Sequence, residues 1–353
     1  METTQQSVQG GRLSLGYLWE NWKATVLGCN LPSERQMDSI SKWLVMTRAC
    51  VFSMTLTSGL IGGLLAVGTV GVSGVNWVFL VLSVLGITLA HASNNLINDY
   101  FDLAVGLDSS EDYVRAKYAP HPILSGMSSK REMILAVLLI NLIDAGIMIY
   151  LTLMRGPLVL VFALAGLFIS VFYTAPPLRL KQIGLGEIGV AIVWGPLMTA
   201  GTYYVAAGNL PTWVLVATIP YALMVMTVLV GKHIDKIPQD REKGIRTLPV
   251  ILGEKTAKRL NQILFVAFYP IVFVLILSGD LSVWLAATLL SVPMLLETLS
   301  IYNRPKPDEP PEGYTVWPLW FVSIAFRFTR LAGGTFLLGL ILHIIFPVTI
   351  NLF

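Results

Sequence analysis

Hydrophobic residues in this chain form long continuous stretches, separated by short polar connections. A transmembrane helix needs about 20 largely apolar residues, and nine segments meet that requirement. Their approximate bounds are 44–70, 77–97, 133–154, 156–174, 184–207, 211–231, 258–278, 281–301 and 316–346. A proline at position 157 separates the third segment from the fourth, so we expect an antiparallel hairpin there instead of one long helix. The pattern predicts an all-α integral membrane protein with nine transmembrane helices.

The residues before the first segment are polar and mixed in charge, without the apolar core of a signal peptide. We therefore divide the chain into an N-terminal tail (1–43), a nine-helix domain (44–346) and a short C-terminal tail (347–353). Within the first tail, stretches near 15–22 and 39–44 are candidates for helices on the membrane surface. A disordered or regulatory tail is the alternative.

Composition supports a membrane location. Of the 353 residues, 55% are hydrophobic and only 13% are charged, whereas a soluble domain is about a quarter charged. No basic patch with interleaved aromatic residues indicates a nucleic-acid partner. The cysteines, Cys29 and Cys50, lie near the N-terminus and match no metal-binding spacing, so we expect neither a disulfide nor a zinc site.

The distribution of positive charge predicts the orientation of the helices. Lysine and arginine collect on the cytoplasmic side of membrane proteins. Of the 24 such residues here, 20 fall in the N-terminal tail or after an even-numbered segment, and Arg155 alone lies in a connection on the other side. We therefore expect a cytoplasmic N-terminus.

A first acidic cluster follows the second segment, on the predicted cytoplasmic side. Its expected metal ligands are Asn98, Asp99, Asp102 and Asp108. Spacings of three and four residues place side chains on one face of a helix, and Gly106 allows the chain to turn so that Asp108 approaches Asp102. Carboxylate and amide oxygens suit Mg²⁺, which also keeps water and phosphate ligands. A helix end with solvated acids is the simpler alternative.

A second acidic cluster follows the sixth segment and contains Asp235 and Asp240. Pro238 is expected to end the helix between them, so that both carboxylates aim at one centre. Two facing groups of carboxylates at a membrane surface repel one another unless cations lie between them. The two clusters together predict a magnesium-diphosphate site that opens into the bilayer.

Other polar residues fit this chemistry. The expected diphosphate-binding cations are Arg115, Lys117, Arg179, Lys181, Lys232 and Arg241. Arg179 and Lys181 also suit a role in holding their loop at the cytoplasmic face. Polar groups deep in membrane segments are functional candidates, and we expect Arg48, Asn94, Asn95 and Asp144 to line the cavity or bind an acceptor. The alternative for Asp144 is a structural ion pair with Arg327 or Arg330.

Together these motifs resemble the UbiA superfamily of intramembrane prenyltransferases over about residues 40–346. The N-D-x-x-D pattern at 98–102 is similar to the first motif of that family, and the segments 173–179 and 244–250 look like its menaquinone branch, which prenylates 1,4-dihydroxy-2-naphthoate. The second family motif, N-x-x-x-D-x-x-x-D, is altered here. Gly231 stands four residues before Asp235, and one extra residue separates Asp235 from Asp240.

The resemblance implies nine helices around a central cavity and a Mg²⁺-dependent transfer of a prenyl group. The donor would be an isoprenyl diphosphate and the acceptor a small aromatic molecule in the bilayer. Asp102 and Asp235 would act in catalysis, and Tyr173 would offer its π-face to the allyl cation. A terpene cyclase of the same fold and a cation-coupled transporter are the alternatives.

Overall fold

The computed structural model describes residues 14–32, 34–104, 106, 120–314 and 316–352, and every regular element within them is helical. In chain order the longer helices are α1 (Leu15–Gly28), α2 (Ser39–Met46), α3 (Ala49–Val70), α4 (Trp77–Ala104), α5 (Lys130–Arg155), α6 (Leu158–Thr174), α7 (Gly186–Ala207), α8 (Thr212–Asp235), α9 (Ile237–Glu242), α10 (Leu248–Leu252), α11 (Glu254–Leu277), α12 (Val283–Tyr302) and α13 (Phe321–Ile345). A short 3-10 helix, Leu180–Ile183, lies between α6 and α7. The predicted all-α architecture is confirmed.

Eight helices of the described residues are long and apolar enough to cross a membrane: α3, α4, α5, α7, α8, α11, α12 and α13. The apolar helix α6 is shorter, with 17 residues, which is the lower limit for a span. The chain is therefore a multi-pass membrane protein, while the count of nine spans stays a prediction.

Several helix boundaries follow from local chemistry. Arg48 has a left-handed backbone (φ 56°) that separates α2 from α3, so the first long helix begins later than predicted. The predicted break around Pro238 is confirmed, because α8 ends at Asp235 and Pro238 lies in the first turn of α9. Helix α4 is longer than the predicted segment 77–97, because it continues to Ala104. Its last turns therefore carry the first acidic cluster.

The two short helices expected near the N-terminus are present and packed together. Asp38 caps α2 by accepting hydrogen bonds from the backbone of Ser41 and also accepts from the side chains of Trp22 and Asn21 on α1. Burial raises the pKa of the Asp38 carboxyl, but the hydrogen bond from the Ser41 hydroxyl at 2.6 Å, together with those from the Ser41 backbone, Trp22 and Asn21, outweighs it and holds that pKa below its ordinary value. This single carboxylate joins α1 to α2.

The prediction for the cysteines was wrong. Cys29 and Cys50 form a disulfide, with their Cα atoms 5.1 Å apart. Because α1 and α2 fold back on one another, the end of α1 lies beside the first turn of α3, although 21 residues separate the cysteines in sequence. The bond fixes the N-terminal helices to the membrane domain.

The helices are buried to very different extents. In α8, 72% of the apolar stretch is buried inside the protein, against 6% in α5. Helix α8 is thus the centre of the bundle, packed on α7, α11 and α13, while α5 lies at its periphery. Close packing depends on small residues: a Cβ at Gly62 of α3 would lie 2.3 Å from the carbonyl oxygen of Thr199 on α7.

Candidate functional site

A cavity of about 580 Å³ lies between α4, α5, α6, α7 and α8. That volume is within the range of small-molecule sites. Its walls are mostly apolar, but the end where α4 and α8 finish carries charged and amide side chains: Arg48, Asn98, Asp102, Lys181, Lys232, Lys236, Gln239, Asp240 and Lys243. We call this charged end the mouth of the cavity.

On the α4 side of the mouth, Asn98 and Asp102 lie one helical turn apart on the same face. Asn98 accepts a hydrogen bond from the hydroxyl of Thr174 at 3.2 Å, and Asp102 Oδ2 accepts one from the Lys181 ammonium at 2.8 Å. Asp102 Oδ1 is buried and has no hydrogen-bond partner in the described part of the chain. A buried carboxylate oxygen without a partner is unfavourable, so this atom has the property expected of a cation ligand.

Asp99 is fully buried and does not line the cavity. Its carboxylate forms an ion pair with Arg48. Arg48, expected at the acceptor, is therefore held at the mouth, beside the acidic end of α4.

On the opposite side, three residues spaced four apart line the mouth: Lys232, Lys236 and Asp240. Lys236 and Asp240 form an ion pair at 3.7 Å. Asp240 Oδ2 and the neighbouring Gln239 Oε1 are buried and have no hydrogen-bond partner among the described residues. Asp240 therefore supplies a second available carboxylate oxygen.

Asp235 is placed differently from the expectation. It does not line the cavity. Its two oxygens accept hydrogen bonds from the backbone N–H groups of Phe321 (3.1 Å) and Val322 (3.0 Å), and Lys306 lies 3.7 Å away. The carboxylate caps the N-terminus of α13, where unpaired N–H groups favour a negative charge.

The predicted cations divide into groups. Lys181 and Lys232 line the mouth, whereas Arg179 and Arg241 do not. Arg115, Lys117 and Asp108 lie outside the described residues. Sequence reasoning missed Lys236, Gln239 and Lys243, although Lys236 follows Lys232 by four residues and so shares its helical face.

The donors at the mouth suit a hard cation. Within the described residues, no group of three or more His, Cys, Asp and Glu side chains is placed to hold a metal ion. Asn98, Asp102 and Asp240 nevertheless provide oxygen ligands, two of which are partnerless. Mg²⁺ commonly binds through one or two carboxylates and completes its shell with water and substrate phosphate, so the residues present fit Mg²⁺.

Deeper in the cavity, α4 and α5 carry polar side chains. Asn141 donates a hydrogen bond to Ser93 at 2.7 Å, and Ser170 of α6 donates one to Asn94 at 2.8 Å. Asn95 also lines the cavity, but its amide donates to the carbonyl oxygen of Thr47. The α4 and α5 side is therefore polar well below the mouth.

Asp144 of α5 is half-buried and lines this polar wall. Its Oδ1 would lie 3.0 Å from a Cβ at Gly86, so the glycine leaves space for the carboxylate. The alternative ion pair is not formed among the described residues, because Arg327 pairs with Glu297 at 3.1 Å and Arg330 donates to the carbonyl oxygen of Cys50. The acid is thus directed at the cavity.

Tyr173, at the end of α6, lines the cavity close to its mouth. The phenol lies within electrostatic range of Asp102 and Asp240. Tyr173, Asp102 and Asp240 thus line one and the same cavity.

The sequence is similar to those of several curated proteins. The curated relatives include the "UbiA prenyltransferase domain-containing protein 1" of Mus musculus, 27% identical over 268 residues, which are 75% of this chain and 76% of the relative. They also include the 1,4-dihydroxy-2-naphthoate octaprenyltransferase of Bacillus subtilis, 27% identical over 271 residues, which are 75% of this chain and 83% of the relative.

Solved structures share the fold. A UbiA homologue from Aeropyrum pernix K1 has a TM-score of 0.62 at 17% identity and covers 82% of this chain and 96% of its own. A UbiA homologue from Archaeoglobus fulgidus bound to GPP and Mg²⁺ has a TM-score of 0.57 at 17% identity and covers 84% of this chain and 99% of its own. The model of the UbiA prenyltransferase family matches residues 55–324, which is more than half of the sequence, and the chain therefore belongs to that family.

Proposed function

We propose that this prenyltransferase moves a prenyl group from an isoprenyl diphosphate to a small aromatic acceptor inside the membrane, with Mg²⁺ as cofactor and diphosphate as the released product. The observation that carries the proposal is one cavity that joins partnerless carboxylate oxygens, on Asp102 and Asp240, to a long apolar interior. The relatives named for naphthoate prenylation and the homologue bound to GPP and Mg²⁺ support this chemistry.

At the mouth, Asn98, Asp102 and Asp240 would hold Mg²⁺. When bound, the metal neutralises negative charge that develops on the leaving diphosphate. Lys181 and Lys232 would contact the diphosphate oxygens as point charges. The predicted metal-binding roles of Asp99, Asp108 and Asp235 and the diphosphate-binding roles of Arg115, Lys117, Arg179 and Arg241 stay predictions.

The remaining residues would protect and direct the reaction. The bond between the allylic carbon and the diphosphate oxygen breaks with its electron pair on oxygen, and an electron-rich ring carbon then forms the new bond. The ring finally loses a proton, or a carboxyl group as CO₂. Tyr173 offers its π-face to the allyl cation, the apolar walls exclude water, and the polar groups of Asn94 and Asp144 would hold the acceptor.

The proposed topology has nine spans, with α6 as the fourth and the N-terminus in the cytoplasm. Helices α4 and α8 are four spans apart and therefore parallel, which accounts for their last turns meeting at one mouth. The lysine and arginine distribution supports a mouth on the cytoplasmic side.

The test is prenyl transfer in proteoliposomes that contain a labelled isoprenyl diphosphate and 1,4-dihydroxy-2-naphthoate, with and without Mg²⁺. We expect Asp102→Asn to lower turnover by roughly 10²–10³-fold, the usual cost of removing a group that stabilises developing charge. Glu297→Gln is the matched control, because this acid also lies in a membrane helix but outside the cavity, and its turnover should stay unchanged.

Wild-type turnover by Asp102→Asn would contradict the proposal. A cyclic product formed without acceptor would identify the cyclase alternative. Cation flux without any chemical turnover would identify the transporter.

A further inference from the structure

The cavity-facing side of α8 and α9 carries the sequence Lys-x-x-x-Lys-x-x-x-Asp. Lys232, Lys236 and Asp240 all line the mouth. Lys236 lies at the break between α8 and α9: its own N–H donates to the carbonyl oxygen of His233 at 3.2 Å, and its carbonyl oxygen accepts from the backbone N–H of Asp240 at 2.8 Å as α9 begins. The three side chains nevertheless line the same mouth.

The residues one position earlier face α13 instead. A Cβ at Gly231 would lie 2.9 Å from the Tyr302 hydroxyl and 3.0 Å from the carbonyl oxygen of Phe321. That space admits no asparagine side chain. Asp235, four residues on, caps the same helix end through Phe321 N and Val322 N. Neither position presents a metal ligand to the cavity.

The residues that occupy the cavity-facing positions of the second motif are therefore not Gly231 and Asp235. Counted back from Asp240 in steps of four, the cavity-facing positions are 236 and 232, and no extra residue has to be accommodated. The N-x-x-x-D-x-x-x-D pattern is then replaced by lysine at its first two positions. An ammonium group and a carboxylate differ by two units of charge, so this wall cannot hold a cation in the way an acidic wall does.

The lysines also face the rest of the mouth. The Lys232 ammonium lies within electrostatic range of Arg48, Lys181, Lys236 and Asp102. Two carboxylate oxygens have no hydrogen-bond partner among the described residues. One belongs to Asp102 on α4, and the other belongs to Asp240 on α9, beyond the two lysines. The two lysine side chains thus line the α8 side of the mouth.

We propose that this chain neutralises a diphosphate with one Mg²⁺ ion, held by Asp102 and Asp240, and with the ammonium groups of Lys232 and Lys236 in the place of a second ion. The inference rests on the proposed function, which makes the ligand a diphosphate. Ammonium groups are present without added metal, so the site retains part of its diphosphate affinity when metal is removed.

Metal stoichiometry gives the first test. The full-length protein in detergent is titrated with Mn²⁺ at saturating inorganic diphosphate, and bound Mn²⁺ is counted by electron paramagnetic resonance. We expect one diphosphate-dependent Mn²⁺ per chain. Calorimetric titration with inorganic diphosphate in EDTA should still detect binding.

Variants then test the lysines. Lys232→Met keeps the length of the side chain and should weaken metal-free diphosphate binding by about tenfold or more, the loss of one charge-assisted contact. The double variant Lys232→Asn with Lys236→Asp should bind two Mn²⁺ and lose metal-free binding. Lys255→Asn is the matched control, because Lys255 is exposed at the start of α11 and lies outside the cavity. Thermal unfolding of each variant shows that it is folded.

The outcomes separate the two proposals. Two diphosphate-dependent Mn²⁺ ions in the wild-type protein, or unchanged metal-free affinity in Lys232→Met, would overturn the inference and leave prenyl transfer standing. A wild-type protein that binds no diphosphate with or without metal would overturn the proposed function as well.

Discussion

The two long walls of the cavity differ in chemistry from mouth to interior. The α4 and α5 wall has a carboxylate at the mouth, Asp102, and another deep in the membrane, Asp144. The α8 wall has Lys232 at the mouth and only apolar side chains below it, including Val228 and Val225. Under the proposed function, this difference predicts that the aromatic acceptor lies on the α4 and α5 side and the prenyl chain along α8, with Mg²⁺ at the mouth between Asp102 and Asp240.

The position of each helix in the bundle accounts for this division. Helix α8 is central and packs on other helices over most of its length, and most of its buried positions are apolar. Helix α5 is peripheral, with only 6% of its apolar stretch buried. A polar side chain on α5 is costly in lipid and is tolerated only where it faces the cavity, which is where Asn141 and Asp144 lie.

Asp235 tests the comparison between the two walls most strongly, because it is a carboxylate on α8, whose wall is otherwise apolar below Lys232. If it belongs to α13 instead of the cavity, Asp235→Ala removes two hydrogen bonds between a charged acceptor and backbone N–H groups. We expect the free energy of unfolding to fall by about 3 kcal/mol, measured by denaturant unfolding in detergent. Turnover per folded molecule should stay within about twofold of wild type, because a group outside the cavity makes no contact that strengthens in the transition state.

Asp235→Asn serves as the control, since the amide keeps one acceptor oxygen for the N-terminus of α13. Its stability should lie between those of wild type and Asp235→Ala. Unchanged stability together with lost turnover in both variants would instead place Asp235 in catalysis, as the sequence alone predicts.

A second prediction separates the polar wall from the apolar one. Asp144→Asn should raise the KM for the aromatic acceptor by about tenfold, which corresponds to roughly 1.4 kcal/mol, because one carboxyl oxygen is lost as a hydrogen-bond partner. The KM for the isoprenyl diphosphate should stay constant. Steady-state kinetics with each substrate varied in turn measures both, with Glu297→Gln as the control. Equal changes in the two KM values would show that Asp144 does not distinguish the substrates.

Local patterns were enough to predict one half of the site. Asn98 and Asp102 lie within a single helix, so their spacing alone places them on one face. The helical fold, the break at Pro238 and the two short N-terminal helices also depend on local chemistry. These features required no knowledge of how distant helices pack.

The other half depends on tertiary packing that the sequence does not show. Asp235 turns away from the cavity because the N-terminus of α13, some 86 residues later in the chain, lies against it. The disulfide between Cys29 and Cys50 likewise depends on the fold-back of α1 and α2. Lys236 is the exception, since its spacing from Lys232 was visible in sequence, and only the assumed register of the motif concealed it.

The smallest expected effect concerns the apolar wall. Val225 lies seven residues before Lys232 on α8, roughly 10 Å deeper at 1.5 Å per residue, and lines the cavity. Val225→Phe adds bulk where the prenyl chain would run and should shift the preference by a few-fold toward shorter isoprenyl diphosphates, since steric discrimination in an apolar pocket is modest. Competition between a short and a long isoprenyl diphosphate, with product ratios from mass spectrometry, measures the shift. Val216→Phe is the control because Val216 is on the same helix but exposed on its outer surface. An identical product ratio in Val225→Phe and Val216→Phe would show that the prenyl chain does not run along α8. The proposed difference in substrate between the two walls would then be wrong.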